Sequence, residues 1–286
     1  MAWCVAAAVA LVCATESPAA VSVANPQPIA IPGIGDATPY PSQIAVSGVT
    51  GRLVDVDVGV NGFQHQDSPD VGIVLVSPSG RAIVLMYGVA FFPGMTSSLI
   101  FDDQAVERLP YSGAHAGAWR PTLYDELPFF SPPGPGSSFG NPGPDQSGPH
   151  VTLNEVFEGE NPNGLWNLFV RDFYAGDRGS VDGGWTLSLT IDAAAPKVDI
   201  GKVKLNEQKR TAKITFKAHD DVSGPDQLSY ACKLDKKSAK PCSSPVRYKK
   251  LKSGKHKVRV TATDEAGNAS KSAKAKFKVP ARLTRS

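Results

Sequence analysis

Six aspartates stand in pairs along this chain: Asp67 and Asp70, Asp102 and Asp103, Asp172 and Asp177. Each pair lies where a strand-like pattern stops, so carboxylates from separate turns have the means to converge on one hard cation, with calcium the natural candidate. The spacing matches no EF-hand loop, so such a site has to be assembled from distant segments. Aspartate also caps turns without any ion. Histidine offers less chemistry. His65, His115, His150, His219 and His256 sit in unrelated contexts, and no G-x-S-x-G or H-E-x-x-H stretch occurs. Ser112-Gly-Ala-His115 reads as a loop with nothing near it to orient the ring. No catalytic constellation emerges, and the chain is expected not to be an enzyme. Calcium aside, no cofactor is implied.

The thiols and amines point elsewhere. Cys232 and Cys242 form an even pair, and in an exported chain a disulfide is their natural state. It closes a small loop worth roughly 2–3 kcal/mol on the chain-entropy model. Two thiols with no suitably spaced histidine do not suit zinc. Lysines alternate with other residues at Lys213 and Lys217, at Lys255 and Lys257, and at Lys274, Lys276 and Lys278. Lysine on a strand edge deters edge-to-edge pairing. A dense field of it also draws anionic polymers, and Lys274, Lys276 and Lys278 are the candidate contacts.

Charge divides the chain. The first 196 residues carry 19 Asp and Glu against six arginines, a net charge of −13. Residues 197–286 carry 24 Lys and Arg against eight acids, a net charge of +16. The overall +3 conceals this split, which indicates two modules joined near DAAAPK, residues 192–197. The partner implied for the basic half is an anionic cell-wall polymer or polysaccharide. Specific nucleic-acid readout is not expected, because aromatics are few and not interleaved with the basic residues.

The elements that must hold these groups are strands. In NGLWNLFVRD and again in WTLSLTI, apolar residues fall on every second position, the period of a half-buried strand. The Gly- and Asp-rich stretch between them reads as the turn of a hairpin, with Trp166 and Trp185 facing a core. LVDVDV alternates as well, and GIVLVSPSGRAIVLM (72–86) reads as two strands around Ser-Pro-Ser-Gly. Residues 132–149 are too rich in Pro and Gly for regular structure. In the basic half, KITFKAHD, LSYACKLD and HKVRVTATDEAGN alternate likewise and suit a seven-strand sandwich. No long helical period occurs, so the fold class expected is all-β.

The N-terminus, MAWCVAAAVALVCATESPAA, reads as a secretory signal too short to span a bilayer, with small residues for cleavage after Ala14, Ala19 or Ala24. It lacks a basic residue ahead of its apolar run. Cys4 and Cys13 would leave with it. The expected product is secreted or associated with the cell surface, with no membrane span. It has a first domain over residues 25–192 after a signal of 1–24, a second over 193–280 and a tail over 281–286.

Two resemblances join these patterns. The "LVSPSG" hairpin after His65 and Asp70, the "F-D-D-x-A" segment with Asp102 and Asp103, the "F-x-G-x-x-P-N-G-x-W-x-L-x-V-x-D" strand and the closing "G-D-x-G-x-x-x-G-G-W-x-L-x-I" together resemble the P (homo B) domain. That domain is a jelly roll of the galactose-binding-like kind, found in kexin- and furin-like proprotein convertases and in secreted bacterial proteins. The match covers roughly residues 40–192. Asp221-Val-Ser-Gly, Tyr230-Ala-Cys232-Lys-Leu-Asp235, Cys242-Ser-Ser-Pro and Leu251–Asn268 resemble the immunoglobulin-like repeats of secreted actinobacterial proteins, whose cysteine pair matches this one and implies a local clasp. The function implied is extracellular binding. One alternative is an accessory part of a subtilisin-like protease encoded upstream or on another chain. Another is a carbohydrate-binding module, with Phe91, Phe92, Phe129 and Phe130 as loop aromatics.

Overall fold

The computed structural model describes residues 19–91, 96–144 and 149–281. It divides into two compact units at Ala193 and Ala194, inside DAAAPK. Both are all-β sandwiches. The apolar N-terminal segment expected to act as a signal, with Cys4 and Cys13, lies outside the described residues, as do residues 282–286 of the tail.

The acidic unit opens with β1 (Ala19–Asn25), β2 (Ile29–Ile31), β3 (Gly35–Asp36), β4 (Ser42–Val46) and β5 (Arg52–His65). Next come β6 (Val71–Val76), β7 (Ala82–Tyr87), β8 (Ala90–Phe91) and β9 (Ser97–Phe101). The short strands β10 (Ser112–Ala114), β11 (Gly117–Trp119) and β12 (Thr122–Leu123) precede a single-turn helix, α1 (Leu153–Phe157). β13 (Gly164–Asp172), β14 (Gly179–Val181) and β15 (Trp185–Asp192) finish the unit. One sheet runs β1-β15-β5-β14-β2, with β9 also on β5. The other runs β12-β7-β6-β13-β3, with β4 also on β13.

Alternation works as expected in β15: Trp185, Leu187, Leu189 and Ile191 are buried, and the threonines and serine between them are half-buried. Trp166, Leu168 and Val170 of β13 meet them in one core between the sheets. β6 and β7 read as continuous apolar runs because both of their faces are covered. Ile73, Leu75, Ile83 and Leu85 enter the inter-sheet core. Val74, Val84 and Tyr87 form a second cluster with Phe130 and Phe169, and Phe139 from the Pro- and Gly-rich loop packs on it.

Two sequence expectations need correction. The hairpin between β13 and β15 is not formed. β13 pairs with β6 and β4 in one sheet, and β15 with β5 and β1 in the other, so the Gly- and Asp-rich stretch crosses between sheets. The connection is longer than the roughly two to five residues of a hairpin loop. It holds β14, which continues along β5 ahead of β15. Gly184 (φ +62°) sits at the break, where a Cβ would collide with the Asn25 carbonyl oxygen.

The second correction concerns the start. The acidic unit begins at Ala19 rather than Asn25, because β1 pairs with β15 from Ala19↔Ile191 to Asn25↔Trp185. Val21 and Val23 pack against the core. Of the three cleavage points, only the one after Ala14 leaves β1 whole.

The basic unit has seven strands among its described residues: β16 (Lys197–Asn206), β17 (Thr211–His219), β18 (Ser229–Leu234), β19 (Lys240–Pro241), β20 (Val246–Tyr248), β21 (Gly254–Thr263) and β22 (Ala273–Val279). β16-β17-β20 form one sheet and β19-β18-β21-β22 the other. Ile214, Phe216, Leu234, Val258, Val260 and Val279 fill the space between. Cys232 and Cys242 are bonded, tying β18 to the residue just after β19. No helix among the described residues is long and apolar enough to cross a membrane.

Candidate functional site

The six aspartates do not meet at one point; they join two separate clusters. The first surrounds His65 at the end of β5. Asp172 ends β13 in the other sheet, and its Oδ2 faces His65 Nε2 at 3.3 Å with both side chains fully buried. Neither atom has a hydrogen-bond partner. His65 Nδ1 lies 2.7 Å from the Asp67 carbonyl oxygen and 3.2 Å from the Asp67 amide nitrogen, so the turn after β5 fixes the ring's orientation. Burial, with the charges of Asp67, Asp172 and Asp177, raises the Asp70 carboxyl above the usual range, against the pull of His65. Asp67, Asp70, Asp172 and Asp177 thus share one electrostatic neighbourhood beside His65.

The second cluster contains Asp102 and Asp103 and adds Asp55 and Asp57. The register Val58↔Phe101 between β5 and β9 brings the two residues after β9 alongside the first half of β5. Asp103 accepts from the Leu153 and Asn154 amides at the start of α1, at 3.1 and 2.8 Å. Asp55 accepts from the side chains of Asn154 and Gln104, at 2.8 and 3.1 Å. Asp102 accepts from the Gln104 amide at 2.6 Å. Asp57 Oδ1 is buried and has no partner. Burial, then the charges of Asp55, Asp102 and Asp103, push the Asp57 carboxyl up to about 7.

The second cluster sets four carboxylates in one electrostatic neighbourhood and leaves the buried Asp57 Oδ1 without a partner. Asp55 and Asp57 escaped the sequence reading because their alternation with valine was spent on identifying the strand. Their shared face, two residues apart, was the available signal.

The lysine candidates lie in the basic unit, on the outward face of the β18-β21-β22 sheet. β22 has Ala275 and Val279 buried, and Lys274, Lys276 and Lys278 exposed between and beside them. The register sets Lys278 opposite Lys255, Lys276 opposite Lys257 and Lys274 opposite Arg259. On the far side of β21, Lys233 faces Arg259. The other sheet is mixed: Lys204 and Arg247 flank Lys213, but Asp199 faces Lys217. Crowding by Arg259, then burial, Lys274 and Lys276, holds the Lys257 ammonium below its usual range.

Asp235 braces the middle of the ladder. It accepts from the Lys257 amide (2.8 Å) and lies 2.8 Å from His256 Nδ1, while His256 Nε2 lies 2.9 Å from the Lys252 carbonyl. That carbonyl, followed by Asp235, raises the His256 imidazole above its ordinary value despite partial burial. The imidazole stacks on Phe277, which faces it across the strands.

The loop aromatics divide differently from expectation. Phe91 and Phe130 are core residues, Phe129 is exposed, and Phe92 lies outside the described residues.

No protein-family model matches the chain, and no curated protein matches it. Among solved structures it is similar to the glycoside hydrolase domain of Endo-D from Streptococcus pneumoniae R6, at 10% identity and a TM-score of 0.25, over 88% of this chain and 32% of that one. It is similar to the serine protease of Aeromonas sobria at 14% identity and a TM-score of 0.28, over 61% and 27% of the two chains. The adhesin domain of Epf from Streptococcus pyogenes follows at 10% identity and a TM-score of 0.23, over 86% and 73%. The chain spans no more than 32% of the first two.

Proposed function

We propose that this is a secreted, non-catalytic binding protein whose basic unit holds it on anionic polymers, while its acidic unit binds calcium through the Asp55, Asp57, Asp102 and Asp103 cluster. The resemblance of the acidic unit's motifs to P-like jelly rolls, and of the basic unit's to immunoglobulin-like modules, supports the reading. The observation that carries the reading is the register of β21 and β22. Like charges set directly opposite each other destabilise a sheet. Edge protection accounts for lysines on β22, the outer strand. It does not account for Lys255, Lys257 and Arg259 on β21, which has a neighbour on each side. Cations kept against their own repulsion suit an outside anion.

The test is retention of the exported chain on immobilised teichoic acid or heparin over a salt series. Exposed charges are screened beyond roughly 8 Å at physiological salt. Binding through six or more cations should weaken by about a thousandfold between ~50 and ~200 mM salt. Failure to bind at low salt would return these lysines to solubility and edge protection.

A further inference from the structure

We infer that the β21–β22 face is built for a linear polyol phosphate, a chain with one phosphodiester per repeat, lying parallel to the strands. This rests on the polyanion reading above and narrows it to one class of polymer. The cations form two facing rows, Lys255-Lys257-Arg259 and Lys278-Lys276-Lys274, each member opposite one in the other row. Within a row the Cα atoms are two residues apart, about 7 Å, and the rows are about 4.8 Å apart. From one such Cα to the next there are as many covalent bonds as between successive phosphorus atoms in a 1,3-glycerol phosphate chain. A strand and such a polymer, both extended, therefore keep step over all three positions. Each phosphate would meet one opposed pair, a two-cation cradle with the geometry that an anion of this kind takes.

Two other polymer classes fit less well. A uronic-acid chain carries its charge on every sugar ring and has a different repeat, so it drifts out of step with the rows. Single-stranded nucleic acid has the right phosphate spacing, but it gains much of its affinity from bases stacking on aromatic side chains. The outward positions of β21 and β22 are Lys, Arg and Thr, with no aromatic among them.

The experiment compares two variants of equal net charge in the full exported chain. Lys257→Gln with Lys276→Gln removes the central pair. Lys249→Gln with Lys250→Gln removes two exposed lysines just after β20, off the ladder. Binding to poly(glycerol phosphate) should weaken by roughly tenfold in the first variant and under twofold in the second. The first should also lower the salt slope of log K by about 2. Its melting temperature should be unchanged or raised, since an opposed like-charge pair is relieved, so weaker binding is not misfolding. Equal losses in both variants would overturn the register argument while leaving attraction by net charge standing. Equal affinity for single-stranded DNA or a polyuronate of matched charge number would overturn the polyol phosphate assignment. Absence of binding to every polymer at low salt would overturn both readings.

Discussion

Asp57 is a carboxylate on a core strand, flanked in sequence by Val56 and Val58, both buried. Its carboxyl is raised from 3.8 to about 7 by burial and by Asp55, Asp102 and Asp103. The folded state therefore holds this proton more tightly than the unfolded state does. Metal-free stability should fall as pH rises from about 4 to about 7 and level off above that. A cation bound to the ionised cluster opposes that fall, because binding to the native state alone adds stability by mass action. Asp57→Asn is expected to raise the melting temperature in chelator at pH 7.5, to change it little at pH 4, and to abolish the rise that millimolar calcium gives the unaltered protein. A wild-type melting temperature that is the same at pH 7.5 in chelator and in calcium would remove the ion from this cluster. Half of the cluster was legible in the sequence. Asp102 and Asp103 stand out as adjacent acids at the end of a strand pattern, whereas Asp55 and Asp57 are hidden inside one. Only the pairing of β5 with β9 unites the four, and pairing is a long-range property.

At the scale of elements, period-2 alternation located β5, β13, β15, β17, β21 and β22, because each sends alternate residues into the core between its sheets. It could not say which strands pair. β13 and β15 are successive long patterns separated by turn residues, and they lie in different sheets, with β5 and β1 occupying both sides of β15. β1 was concealed by composition: AAVSVAN follows an apolar stretch and looks like its continuation. Its pairing with β15 has a consequence for export. The mature chain is expected to begin at Thr15, and N-terminal sequencing of secreted protein checks this. A chain begun instead at Pro26 would lose β1 and uncover the edge of β15. Val21 and Val23 contribute roughly 2 kcal/mol between them when packed. At about 2–4 °C for each kcal/mol, the shortened chain should melt some 4–8 °C lower. Equal melting temperatures would show that β1 adds nothing to the fold.

Across the whole molecule the charge switch at Lys197 was plain in the sequence, and it already named a polyanion as the partner. What composition could not supply was alignment, since the same number of lysines scattered over two faces would give the same net charge and no rows. The rows end at β22, the last strand of its sheet. That position gives the lysines a second consequence, in the phase behaviour of the protein. In free solution, two copies approaching edge to edge meet like charge and stay apart, so the protein should remain dispersed at high concentration. A polymer that neutralises Lys274, Lys276 and Lys278 removes that repulsion while bringing copies together along its length. Turbidity on titration with poly(glycerol phosphate) should therefore rise to a maximum near charge balance and clear again in excess polymer, once the copies are spread over separate chains. A solution that stays clear at every ratio would mean that the unpaired edge of β22 is guarded by something other than charge.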